Sequence, residues 1–482
     1  MDDAAQPAED TMAAPQMPHE PDEPGDDARG AGNPQTPVPQ QPYERWLKAL
    51  GAHAGVRTDT EAADGRGPVP ASAAAHRKPE AALRLTTLGH GGTQPRGHEQ
   101  PVAVDLGGAR KARRLINFAS GDVLGLASHP DVLDRAAAWG ARWSSESCAV
   151  HLYDEQLRTY ERVERKLAQF IGHAAGLILN APNDIYNAVL PALLDPLVLR
   201  HRPLIYADEA CHAGLRASLS HLGLEPQLYR HGDADDLAQR LHADRHATTA
   251  RYILSEGVFA NTGAVCDAAR LKAVAQDYLA LLIIDDTHGM GVTGEAGRGV
   301  GADADLVIAS CAGTLGTPAS FAVGASPLIT YAARRARALL GQPAQASALF
   351  GALDAMIELI PRMARERAHL QQKAQGLALQ LKALGLPADT GSATRDATDA
   401  NDSIGIQASH IYPLFAGGEA TLAALSDDLA RGGIWAPTAL DDPSPNTMAR
   451  LTLTLTCAHD DDDLAELCRA LSPLIGTAVR GA

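Results

Sequence analysis

The side chains best suited to chemistry sit at the ends of short apolar runs. LLIIDDTHGMG places Asp285 at the end of one run and His288 three residues on. A carboxylate there can pair with a protonated pyridine nitrogen, keeping it charged and making the ring a stronger electron sink, while His288 bonds a ring oxygen. YADEACHAGLRAS supplies His212, an imidazole able to lie flat on an aromatic ring. Glu256 in SEGVFANTG ends a third run, and Arg450 in MARLTLTLT opens a strand and can hold a carboxylate bidentately. GTLGTPAS, after the apolar run ADLVIASCA, is a small-residue loop holding Thr317. Taken singly, each has a plainer reading: Asp285 and Asp286 as turn caps, His288 and His212 as solvated imidazoles, Glu256 as a polar terminator, Arg450 as a snorkelling side chain.

The elements that must position these groups are legible. AGLILN, PLIYAD, ARYILSE, LALLIIDD and ADLVIAS read as buried strands, whereas ASHPDVLDRAAAWGARW and LRTYERVERKLAQFIG have apolar residues at helical spacing. Helices between such strands imply an α/β fold, a mostly parallel central sheet with helices on both faces. Ligand sites in such sheets gather at the carboxyl ends of strands, which favours Asp208, Glu256, Asp285 and the loop at Gly313. A long helical section follows with a kink expected at Pro361, and the alternating strands and helices after it suggest a small α+β domain.

This divides the chain into a largely disordered extension over 1–112, with a short helix near 42–54, and an entry segment of the small domain over 113–150. A large domain is expected over 151–345, and an interdomain helix with the C-terminal small domain over 346–482. The folded body is expected to begin near Arg113.

A formal charge of −16 without a basic block argues against nucleic acid or anionic membrane as partners. The six cysteines form no CxxC pair, so neither a zinc site nor a disulfide framework is indicated. The acidic N-terminal stretch lacks an apolar core and no run reaches eighteen apolar residues, so a cytoplasmic protein without a membrane span is expected.

In chain order, INFASGDVLGLASHP, LILNAPNDIYNAVL, YADEACHAGLRAS, SEGVFANTGAV, LLIIDDTHGMGVTGEAGRGV, ASCAGTLGTPASFAVG and ARLTLTLTCAHDDDDL resemble the signature blocks of the α-oxoamine synthases. This pyridoxal-phosphate family includes 8-amino-7-oxononanoate synthase, 2-amino-3-ketobutyrate ligase, 5-aminolevulinate synthase and serine palmitoyltransferase. The resemblance runs from about Arg113 to the C-terminus. It implies fold type I, a dimer, pyridoxal 5'-phosphate as cofactor, and condensation of an amino acid with an acyl thioester. It also implies Asp285 on the pyridine nitrogen, His288 on the ring hydroxyl and His212 stacked on the ring, with Glu256 and Thr314 among the cofactor contacts and Arg450 on the substrate carboxylate.

The pattern breaks where the family writes its lysine. GTLGTPAS aligns with a block like GTLSKALG, which puts Gly316, Thr317 and Pro318 in place of serine, lysine and alanine. That lysine forms the resting Schiff base and removes the α-proton, and a threonine hydroxyl does neither at neutral pH. The chain has only Lys48, Lys78, Lys111, Lys166, Lys272, Lys373 and Lys382. The phosphate-binding turn reads Pro182-Asn183, and a proline has no N–H to offer an anion. Ala260, Thr262 and His151 stand where the family has serine, aspartate and arginine. The expectation is a homologue or subunit unable to run the standard condensation, dimeric with itself or with a lysine-bearing paralogue, as in serine palmitoyltransferase. The alternative is an acyltransferase of altered mechanism that binds pyridoxal phosphate or its aldimine non-covalently.

Overall fold

The computed structural model describes residues 86–87, 99–105, 110–143, 154–340, 346–386, 409–417, 419–436, 438–439 and 449–474. All lie in one compact unit, Leu83–Ala482. Most of the expected 1–112 extension, with its helix near 42–54, falls outside the described residues.

Strands β1 (Thr86–Thr87), β2 (Glu99–Asp105) and β3 (Arg110–Asn117) form an antiparallel sheet. Regular structure is therefore present ahead of Arg113 as well as after it. Its signal was the alternation of Val102 and Val104 and the Gly107-Gly108 pair after it, which is hairpin chemistry set in a stretch otherwise rich in Gly and Pro.

Helices α1 (Pro130–Trp143) and α2 (Asp154–Ile171) lead into the main sheet of β4 (Ala175–Leu179), β5 (Leu204–Asp208), β6 (Gln227–Tyr229), β7 (Arg251–Glu256), β8 (Leu281–Asp285), β9 (Leu306–Ser310) and β10 (Ser320–Gly324). The order is β4-β10-β9-β8-β7-β5-β6, and β10 alone runs against its neighbours. The crossovers carry α3 (Leu190–Leu194), α4 (Pro196–Leu199), α5 (Ala213–His221), α6 (Ala234–Ala243) and α7 (Ala268–Asp277).

The strands read as unbroken apolar runs because both faces are covered, and successive residues part into two cores. Ile253, Ile284, Val307 and Phe321 enter one with α1, α2 and α7; Leu254, Ile283, Ile308 and Ala322 enter the other with α3 and α5.

Beyond β10 come α8 (Ser326–Leu340), α9 (Ser347–Leu359) and α10 (Ala364–Ala383), the last two separated by a 3-10 turn at Ile360–Arg362. The break falls at Pro361, where the ring removes a helical donor. Lys166 on α2 reaches Asp354 and Glu358 of α9, both at 2.6 Å, and Arg135 on α1 joins them at 2.7 and 2.8 Å, clamping three helices together.

The chain ends in β11 (Ile411–Gly417), α11 (Glu419–Arg431), β12 (Ile434–Trp435), β13 (Thr438–Ala439), β14 (Ala449–Thr454) and α12 (Asp461–Leu471). β11, β14 and β13 pair antiparallel, while β12 pairs parallel with β3, so the N-terminal sheet is completed by a C-terminal strand.

Candidate functional site

β7 and β8 lie in register, so their last residues, Glu256 and Asp285, stand side by side at the sheet's carboxyl end. Asp285 Oδ1 accepts from the amide of Thr287 at 3.1 Å and its hydroxyl at 2.5 Å. Oδ2 accepts from the hydroxyl of Tyr186. That tyrosine projects from a π-helical turn, Ile185–Val189, a local irregularity common at functional sites. Its ring lies along His212, with centroids 5.8 Å apart and planes 22° apart. Burial, with the Asp285 charge beside it, pushes the phenol well above the usual tyrosine range, so it remains a donor.

His212 is the N-cap of α5, where Nδ1 accepts from the Gly214 amide at 3.0 Å. Its own amide donates to Glu256 Oε1, and Oε2 accepts from the Ala260 amide at 3.2 Å. Burial, then the neighbouring Asp285, drives Glu256 well above the carboxylate range. His288 is half-buried and hydrogen-bonded to the Gly313 backbone; burial lowers its pKa to about 4 against the pull of Asp285. Beyond it His410 is 1% exposed, neither ring nitrogen has a partner, and burial takes it to about 3. Thr314 turns its hydroxyl to the Thr287 carbonyl at 3.5 Å.

The expected cluster of Asp285, His288, His212 and Glu256 is therefore brought together. Thr317 lies at the wall of a cavity of about 500 Å³ lined by Asn117, Asp122, Pro182, Gly316 and Trp435 among others. Gly316 has φ +63°, and a Cβ there would come within 2.8 Å of Asp122 Cβ, so this turn requires glycine. Thr317 itself is buried. Lys272 is held by Asp305 at 2.6 Å, Lys166 by α9, and Lys373 by the carbonyls of His459 and Cys457. The remaining described lysine side chain, Lys382, is exposed at the end of α10. Three of these four amines are thus held by partners on other elements. Arg450 is the second residue of β14, opposite Ala416 and Ala439; its side chain, like His151, lies outside the described residues.

At the phosphate turn the Ala181 amide donates to Asp184 Oδ2 at 3.0 Å, its carbonyl accepts from Ser320 Oγ at 2.7 Å, and Pro182 has no N–H. A carboxylate 4% exposed thus takes an amide of the turn that would face an anion. Thr262 hydrogen-bonds His231 Nε2 at 3.0 Å, and His231 Nδ1 meets Asp208 at 2.9 Å, a chain that ties the end of β5 to the loops after β6 and β7. Tyr186, Asp184, His231 and His410 were not singled out from the sequence. The first two lie inside LILNAPNDIYNAVL, where a carboxylate in a phosphate turn was the available signal.

These residues do not fit pyridoxal phosphate held in the family's manner. The carboxylate for the ring nitrogen already carries a phenol, the amine is absent, and the phosphate turn holds an acid.

The seven-stranded sheet with one reversed strand, and polar groups collected at its carboxyl end, is fold type I of the pyridoxal-phosphate enzymes. The chain belongs to the aminotransferase class I and II family, whose model matches residues 113–471, and within it to the α-oxoamine synthases, for which pyridoxal phosphate is the family cofactor. It is 33% identical over 366 residues to a Magnetococcus marinus protein provisionally named as an 8-amino-7-oxononanoate synthase, covering 75% of this chain and 89% of that one. It is 30% identical over 384 residues to the 8-amino-7-oxononanoate synthase of Gluconacetobacter diazotrophicus, covering 78% and 91%. In fold it is similar to Sphingomonas wittichii serine palmitoyltransferase, with TM-score 0.66 at 19% identity over 92% of this chain and 98% of that one. Among the described residues no helix is long and apolar enough to cross a membrane.

Proposed function

We propose that this α-oxoamine synthase homologue does not condense an amino acid with an acyl thioester through a Schiff base, and acts as a non-catalytic homologue or subunit. The observation that carries the reading is Thr317 in the GTLGTPAS loop, with Lys166, Lys272 and Lys373 each held by partners on other elements. Among the described lysines these three amines are engaged elsewhere and Lys382 lies exposed at the end of α10, which leaves none of them placed to form the resting aldimine or take the α-proton. A scaffold dimer with itself or with a lysine-bearing paralogue follows from that role.

Keeping Asp285 and His212 in such a protein has a use that needs no cofactor, since both hold Tyr186. This weighs against the altered-mechanism acyltransferase. The test is release of coenzyme A from medium- and long-chain acyl thioesters with glycine, alanine or serine, in the presence of pyridoxal phosphate. No release above a protein-free control is expected; amino-acid-dependent turnover by the purified chain contradicts the reading.

A further inference from the structure

The corner formed by Asp285, His212 and His288 is filled by the chain itself. Tyr186 presents a flat six-membered ring along His212 and one in-plane hydrogen to the Asp285 carboxylate. Those are the two contacts that the family resemblance assigns to the pyridinium ring of the cofactor. A phenol O–H and a pyridinium N–H offer the carboxylate the same kind of donor at the edge of the same kind of ring.

The ring is also held from behind. Ser218 Oγ donates to the Tyr186 carbonyl at 2.6 Å, and Ile185 and Val189, at the two ends of the π-helical turn, are fully buried. Gly214 leaves the space the ring needs, since a Cβ there would come within 3.3 Å of Tyr186 Cδ2 and 2.9 Å of His212 Nδ1. Withdrawing Tyr186 would expose a side chain now 7% exposed and strip a donor from a buried carboxylate.

We propose that Tyr186 is a resident substitute for the cofactor ring, closing the Asp285–His212 seat to pyridine-type ligands. The inference rests on taking Asp285, His288 and His212 as the family's ring seat and is independent of the residue at 317. A ligand for a seat that is filled most of the time binds more weakly by the fraction of molecules in which it is open, so shortening residue 186 removes that penalty.

The probes are pyridoxine and pyridoxine 5'-phosphate, which lack the aldehyde and cannot form a Schiff base with any lysine. Their binding reports on the seat alone, whereas failure of the Thr317 reading would appear as turnover or a covalent adduct with pyridoxal phosphate. The two esterification states also separate the seat from the altered phosphate turn. Full-length wild type, Tyr186→Ala and Tyr186→Phe are titrated by calorimetry. Tyr186→Ala is expected to bind at least one probe about thirtyfold more tightly than wild type, with Tyr186→Phe within about threefold of wild type because its ring remains. Tyr186→Ala that keeps its melting transition yet binds neither probe better than wild type overturns the proposal. Should Tyr186→Ala fail to fold, wild type decides: a rise in melting temperature at saturating probe means an open seat and overturns it, and an unchanged melting temperature supports it.

Discussion

The cluster at the carboxyl ends of β7 and β8, here the floor, is knit together by its own side chains, whereas the cavity at Thr317, here the mouth, is open. On the floor, Asp285 accepts from the Tyr186 hydroxyl, Glu256 accepts from the amides of His212 and Ala260, and the Tyr186 ring lies along His212. At the mouth, Thr317 and Pro182 line a cavity of about 500 Å³, at the positions where the family resemblance puts its lysine and its phosphate turn. Simple decay would leave buried polar groups on the floor without partners, at a cost of about 1–3 kcal/mol each. Instead, protein groups satisfy both Asp285 oxygens. On the proposal above, the floor serves the fold and the cavity at Thr317 is the open part of the site.

The sharpest way to break that contrast is to repair the mouth alone. Thr317→Lys is expected to give no borohydride-reducible adduct with pyridoxal phosphate, while Thr317→Lys combined with Tyr186→Ala does, as read by intact mass. An adduct in the single variant means that the floor is open.

Next in size is the worth of Asp285 to the cofactor-free fold. A carboxylate kept for a cofactor contributes little before the cofactor arrives, whereas removing one that accepts from the Tyr186 hydroxyl and from the Thr287 amide and hydroxyl strands three donors. Asp285→Ala is expected to cost about 3 kcal/mol in denaturant titrations, and a cost near zero removes the structural role of the floor.

Asp286 supplies a comparison at the next residue. It is crowded by Gly257, Gly289 and Gly299, the last at φ +84° with a Cβ position 1.8 Å from Oδ2. Burial raises its carboxyl to about 7, against amide hydrogen bonds from Val300 and Gly301 and with help from the Asp285 charge. A raised folded pKa gives stability that is complete below the unfolded value of 3.8 and is lost as pH rises through about 7. His288 and His410, lowered to about 4 and about 3, work in the other direction: their contribution is present above 6.5 and lost as pH falls. Asp286→Asn removes only the first trend, so its stability relative to wild type should improve by about 2 kcal/mol between about pH 5 and about pH 8. Thermal melts of both proteins across that range check the sign, and a constant difference contradicts it.

The smallest effect is expected from Tyr186→Phe, which keeps the ring and removes one donor to Asp285. A loss of about 1 kcal/mol in denaturant titration is expected, well below that of Asp285→Ala, and a loss as large as that of Asp285→Ala would assign the floor's stability to the hydroxyl rather than to the network.

Much of the fold was legible in the sequence because the sheet is covered on both faces. AGLILN, PLIYAD, ARYILSE, LALLIIDD and ADLVIAS each became strands, and the residues closing them came together. The break at Pro361 was equally local and equally readable. Tyr186 was not, because its partner is 99 residues away and the residue sits in an apolar pattern that reads as core. A motif comparison also asks which family groups survive, and it is silent on a side chain that replaces a ligand. His410 escaped for a related reason: it sits just ahead of β11, far along the chain from His288, and feels that imidazole only in the folded chain.

The measurement that tests the account most directly is a titration of the purified wild-type chain with pyridoxal phosphate, followed by borohydride reduction and intact mass. No saturable absorbance band and no pyridoxyl mass increment are expected. A saturable band that becomes a single covalent increment on reduction would show an open seat and a working amine, and would contradict both Thr317 as the lost nucleophile and Tyr186 as the occupant of the ring seat.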